Sequence, residues 1–119
     1  MPRFVVHRHD ASRLHYDFRL EAQGVLKSWA VPKGLPGSVG VKRLAVAVDD
    51  HGLDYIGFEG AIPEGQYGAG EVKIWDNGTY EAESWKEGKI VFTLKGKKAS
   101  GRYALVRMKE RNWLLMKLK

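Results

Sequence analysis

The chain has 119 residues, 44% of them hydrophobic and 29% charged, with a formal charge of +6. That is one domain's length in an ordinary globular mixture, which excludes disordered, collagen-like and low-complexity classes; the positive balance points to a polyanionic partner such as nucleic acid. The absence of cysteine excludes disulfides, thiolate metal sites and a Cys nucleophile, and no apolar run approaches the ~18 residues of a membrane-spanning helix. A single domain over residues 1–119 is expected, monomeric, cytoplasmic and without membrane attachment.

In chain order, period-two alternation with β-branched and aromatic residues predicts strands at Phe4–His9, His15–Glu21, Val25–Val31, Arg43–Asp49 and Tyr55–Glu59. It predicts more at Glu71–Trp75, Thr79–Ser84, Ile90–Leu94, Arg102–Met108 and Trp113–Leu118. Turn signals separate them at Gln23-Gly24, Asn77-Gly78, Glu87-Gly88 and Ser100-Gly101. Asp76-Asn77-Gly78 between two alternating runs predicts a hairpin. Breaker clusters at Pro32–Ser38 and Pro63–Gly70 are read as irregular loops. With no sustained helical periodicity, the fold class is all-β: a compact, closed or nearly closed barrel of about 8–10 short, mostly antiparallel strands.

The chemistry concentrates early, since all four histidines (His7, His9, His15 and His51) lie in the first half. On a strand His15, Asp17 and Arg19 share one face, opposite Leu14, Tyr16, Phe18 and Leu20, which form the predicted core row. A solvated salt-bridged row is the plain alternative. By the same alternation Leu44, Val46 and Val48 are expected inside, with Arg43, Ala45, Ala47 and Asp49 opposite and His51 just beyond. Ile56 and Phe58 are expected inside, leaving Tyr55 and Glu59 on the polar face. His9, His15 and Asp17 make a mixed nitrogen and oxygen set suited to Mn, Fe, Zn or Co.

A divalent metal can polarise a phosphoryl oxygen, and Arg19 and Arg43 can clamp phosphate oxygens in forked geometry. His51 can donate to a developing oxyanion and the Tyr55 hydroxyl can hold a phosphate oxygen. These are ingredients of phosphoester hydrolysis. From Lys95 onward nine basic residues oppose only Glu110, a segment suited to holding a nucleic-acid strand. Two rivals remain: a non-catalytic nucleic-acid-binding barrel, and an iron oxygenase built on His15-x-Asp17.

Phe4-Val5-Val6 followed by His9-Asp10-Ala11-Ser12-Arg13-Leu14-His15-Tyr16-Asp17-Phe18-Arg19-Leu20-Glu21 closely resembles the opening of the 3'-phosphoesterase domain of bacterial DNA ligase D. The likeness continues through Gly24–Gly34, Lys42–Val46, Asp50-His51, Leu53-Asp54-Tyr55, Phe58-Glu59-Gly60, Ile62–Gly65, Tyr67–Gly70 and Trp113–Lys117. The resemblance implies a manganese-dependent barrel, with Co2+ or Zn2+ as alternatives, that heals DNA or RNA–DNA 3' ends in non-homologous end joining. Such domains remove a terminal 3' ribonucleoside and then the 3'-phosphate, leaving a 3'-hydroxyl for ligase and polymerase, here expected as separate proteins. Carried over by position, His9, His15 and Asp17 bind the metal. Arg19, His51 and Tyr55 engage the scissile phosphate as the catalytic set, with Lys33 and Arg43 as supporting phosphate contacts. His7 stands where the family often has Gln and is expected to support a ligand rather than be one. Family members carry a functional lead-in before the first motif, whereas Phe4 here follows only three residues; ribonucleoside removal is therefore expected to be weakened.

Overall fold

Strands β1 (Arg3–Asp10) and β2 (Leu14–Ala22) form an antiparallel hairpin. Strand β3 (Val25–Val31) follows through Gln23 and Gly24. Both turn residues have positive φ, 55° and 79°, the conformation a two-residue hairpin matched to strand twist requires. Next come β4 (Lys42–His51), a 3-10 turn (Leu53–Gly57), and the three-residue β5 (Gly60–Ile62). The long β6 (Gly70–Lys86) leads into β7 (Lys89–Lys95), β8 (Ser100–Lys109) and β9 (Asn112–Lys117). This computed structural model describes residues 1–66 and 68–119; Tyr67 of the Gly-rich motif lies outside the described residues.

All strand pairings are antiparallel, in the order β1-β2-β3-β4-β9-β8-β7-β6, and β1 also pairs with β6, closing an eight-stranded barrel. β5 adds to the edge of β6. No described helix is long and apolar enough to cross a membrane.

The interior is aromatic. Phe92 stacks between Phe18 and Tyr103 at centroid distances of 5.7 and 6.0 Å, and Trp29 meets Trp113 edge-on at 5.8 Å. These rings dictate their neighbours. Trp29 is in register with Ala47, and Ala45 with Trp113, so each indole faces an alanine. Large-against-small filling reverses the expected sides of β4: Ala45 is fully buried inside, whereas Leu44 is 44% exposed. Leu14, at the start of β2, is likewise exposed rather than core.

Two strand predictions are corrected. Tyr55–Glu59 is no strand; Tyr55 N–H donates to the Gly52 carbonyl and Phe58 N–H to that of Tyr55, winding a tight turn with no buried residue. The Glu59 carboxylate instead accepts the Ile74 N–H at 2.8 Å, tying this segment to β6. Asp76-Asn77-Gly78 is no hairpin, because β6 runs straight through it, pairing β1 and then β7. Asp76 turns inward and accepts backbone N–H groups from Asn77, Lys97, Lys98 and Ala99, so its carboxylate organises the β7–β8 connection. Gly78 is required by close approach: a Cβ there would collide with the Lys95 carbonyl and the Phe4 ring.

Candidate active site

The chemistry lies on the outer wall of β1–β4, opposite the aromatic interior. Phe4 and Val6 of β1 join the core, so His7 and His9 face outward; Phe18 and Leu20 of β2 do the same for Asp17 and Arg19. Register then aligns His9 with His15, His7 with Asp17, and Arg19 with Ser28 of β3.

His51 arrives by a β-bulge. Between Ser28–Val48 and Leu26–His51, β4 carries one residue more than β3. The extra residue reverses the alternation and puts His51 on the outer wall, although Ala45 and Ala47 point inward. The 3-10 turn covers the site: Tyr55 lies 4.6 Å from the His51 ring, edge-on to His7 at 5.3 Å, and stacked on Phe58 at 4.8 Å.

At one end, His9, His15 and Asp17 offer ligand atoms within 4.8 Å of one another. His9 Nε2 lies 2.7 Å from the Gly68 carbonyl and His15 Nδ1 lies 3.2 Å from that of Arg13. Carbonyls only accept, so those nitrogens carry protons. His9 Nδ1 and His15 Nε2 are thereby turned onto the two Asp17 oxygens, at 3.2 and 3.3 Å. Two imidazole lone pairs facing a carboxylate need a cation between them. Protonation meets that need in part, since the bond to Asp17 raises the His15 pKa against the opposing effect of burial. A divalent metal fits the same donors, with each histidine's remote N–H anchored on a backbone carbonyl as metal ligands usually are.

Arg19 is the hub, only 3% exposed. Its Nε donates to His7 Nδ1 at 3.2 Å and its Nη1 to Ser28 Oγ at 2.8 Å. Nη1 also lies 3.1 Å from His51 Nδ1, and Nη2 lies 3.5 Å from Asp17. His51 Nδ1 lies between Arg19 Nη1 and the Asp49 carbonyl, the latter at 3.3 Å; the Arg19 contact is the shorter and a guanidinium is always a donor, so Nδ1 accepts from Arg19 and the proton sits on Nε2. Burial and the Arg19 charge lower the His51 pKa, keeping the ring neutral. Burial raises the Asp17 pKa, but the His15 bond and the Arg19 charge outweigh it and the net direction is down. Burial also raises the Tyr55 pKa, keeping its hydroxyl protonated.

His7 is fully buried, and burial with the Arg19 charge lowers its pKa to about 4. The unfolded imidazole titrates near 6.5, so the unfolded chain takes up the proton first. The resulting stability is complete above pH ~6.5 and is lost as pH falls toward about 4, with His51 acting in the same sense. His7→Gln, which keeps an acceptor for Arg19, should flatten the dependence of Tm on pH across that window. A curve of unchanged slope would mean that His7 is not the titrating group.

Of the residues predicted from sequence, the structure gathers His9, His15, Asp17, Arg19, His51 and Tyr55. It does not bring Lys33 or Arg43 among them. Lys33 is exposed in the loop after β3, and Arg43 shares the inward face of Ala45 with its Nε buried and unpartnered. Sequence reasoning missed Ser28, Phe58 and the Gly68 carbonyl. Ser28 carried a signal, as a hydroxyl flanked at i±2 by Leu26 and Ala30 on one face of β3; the carbonyl carried none.

Comparison with known proteins identifies the family. Residues 7–107 match the family described as DNA Ligase D 3'-phosphoesterase domain. The chain is 52% identical over 120 residues to the "Multifunctional non-homologous end joining DNA repair protein LigD" of Mycobacterium tuberculosis, covering 98% of this chain and 16% of that protein. It is 53% identical over 126 residues to the "Multifunctional non-homologous end joining protein LigD" of Pseudomonas aeruginosa, covering 98% and 15%. The chain thus spans about a sixth of the length of these relatives. On the family match and these identities together, it belongs to the DNA ligase D 3'-phosphoesterase domain family.

Proposed function

We propose that this domain is a metal-dependent phosphoesterase that removes a 3'-phosphate, and a terminal 3' ribonucleoside, from DNA or RNA–DNA ends to leave a 3'-hydroxyl. Manganese is the proposed metal, with Co2+ or Zn2+ as substitutes. The supporting observation is the convergence of His9 Nδ1 and His15 Nε2 on the Asp17 carboxylate beside the Arg19 guanidinium.

His9, His15 and Asp17 would hold the metal, which when bound supplies Lewis acidity toward a phosphoryl oxygen and lowers the pKa of a coordinated water. The remaining roles belong to the wall itself. Arg19 has five N–H donors, and its contacts with His7, Ser28, His51 and Asp17 leave it one N–H for a phosphate oxygen. Because Arg19 fixes the His51 tautomer, His51 presents Nε2–H as a neutral donor toward the oxygen on which charge develops. The protonated Tyr55 hydroxyl is a second donor, and its ring shields the guanidinium at 4.9 Å. The relatives' names connect this chemistry with end joining in DNA repair.

The test is release of inorganic phosphate from a 3'-phosphate primer–template with Mn2+, Co2+, Zn2+ or Mg2+, and with a chelator. Release that requires a divalent cation and stops with chelator is expected. No release with any metal, or full release under chelation, would sink the assignment.

A further inference from the structure

The inward-facing residues at the end of the barrel beside the His9–His15 hairpin form the edge of the core, where Tyr16 and Trp75 pack against it but are only partly buried. Tyr16, Arg8 and Lys73 align directly across β2, β1 and β6. Trp75 follows Lys73 on the same face and meets Tyr16 edge-on at 6.0 Å. The Lys98 ammonium lies 5.1 Å from the Trp75 ring. Gly34 packs against the Tyr16 ring, which brings its neighbour Lys33 to this rim.

Cations outnumber their counterions here. Lys73 is paired with Glu71 at 3.3 Å, whereas Arg8, Lys33, Arg43 and Lys98 have no carboxylate partner among the described residues. Arg43 adds a buried Nε–H without an acceptor, a group that is destabilising unless something accepts from it. Lys98 is not on a loose tail, because Asp76 accepts the N–H groups of Lys97, Lys98 and Ala99 at 3.2, 2.8 and 2.7 Å.

We propose that this mouth binds a single-stranded nucleic-acid segment, with unpaired bases stacked on Trp75 and Tyr16 and phosphates held by Arg8, Lys33, Arg43 and Lys98. Aromatic faces inside a cationic rim suit a ligand with flat bases and regular negative charge. A duplex end would present its bases already paired and stacked. Arg8 alternates with His7 and His9, and Tyr16 with His15 and Asp17, so one sheet thickness separates the mouth from the candidate metal ligands. A strand crossing the rim would run from one to the other. The proposal deepens the phosphoesterase reading by adding a site for the strand beyond the reacting end.

The experiment uses the intact chain and a labelled oligothymidylate with a 3'-hydroxyl, without divalent metal, so that no chemistry enters. Fluorescence anisotropy should show tighter binding than to a blunt duplex of equal length. Trp75→Leu should raise Kd at least about fivefold, the loss of one base–aromatic stack, while Trp75→Phe retains most of the affinity. Lys98→Gln and Arg8→Gln should each reduce the slope of log Kd against log salt by about 0.7. Should Trp75→Leu unfold, Trp75→Phe and the two charge variants still give the answer. Equal affinity for duplex, or single-strand affinity and salt slope unchanged in the folded variants, would overturn the proposal. If the wild-type chain releases no phosphate yet these variants lose single-strand binding, the phosphoesterase reading falls and the mouth remains.

Discussion

His15→Ala is expected to abolish the proposed metal-dependent phosphate release, with a loss of about three powers of ten or more, the several kcal/mol a Lewis acid contributes to the transition state. The fold should survive, because the His15 side chain is 25% exposed and stands outside the core. Asp17 needs a gentler probe than alanine. Its carboxylate is nearly buried and faces both imidazoles and Arg19, so Asp17→Ala removes the anion that these three basic groups share. Asp17→Asn keeps the shape and one acceptor oxygen but removes the charge, and should lose metal binding along with activity. Calorimetric titration with Mn2+ checks binding, and phosphate release checks turnover. Either variant binding metal and turning over normally would remove the three-residue metal centre from consideration.

Arg19→Lys fails almost as badly as Arg19→Ala in activity, and the two separate in stability. A guanidinium reaches His7, Ser28 and His51 in three directions from one rigid plane. An ammonium on a flexible stem cannot reproduce that fork, so His51 loses the donor that fixes its tautomer. A drop of about 10²–10³ in kcat is expected for both, the usual loss when one oriented donor to developing charge is misplaced. Arg19→Ala also leaves Asp17 buried beside fewer cations, and breaking such a buried pair costs about 3–5 kcal/mol. The lysine variant keeps the charge and should unfold at a higher temperature than the alanine variant. Urea midpoints and steady-state kinetics on one substrate separate the effects. Near-normal kcat for Arg19→Lys would reduce Arg19 to a bulk counterion.

Much of the site was legible because β1 and β2 are regular. Period-two alternation places His15, Asp17 and Arg19 on one face of β2, and His9 joins them through the β1–β2 pairing. The same rule fails on β4 for a tertiary reason. Arg43–Asp49 alternates leucine and valine against alanine, and a hydrophobicity count puts the larger side chains inside. The interior was already filled by Trp29 and Trp113, which leave room only for Ala45 and Ala47. Which strand supplies the bulk and which the hollow is settled between strands and is invisible along one of them. Asn77-Gly78 misleads similarly: its glycine answers to Phe4 and the Lys95 carbonyl rather than to a turn. Tyr55 joins the site although its segment is not a strand. Family likeness carried that residue, and the face argument reached it through the wrong geometry.

The supernumerary residue between Val48 and His51 makes phase a chemical variable. Adding or deleting a single amino acid there would leave β4 hydrogen-bonded along most of its length and the aromatic filling undisturbed, yet would turn the imidazole from solvent toward the sealed lumen. Reactivity in this scaffold therefore depends on counting as much as on identity: an alignment that conserves the histidine but miscounts the spacer would describe an intact barrel with nothing to offer a substrate.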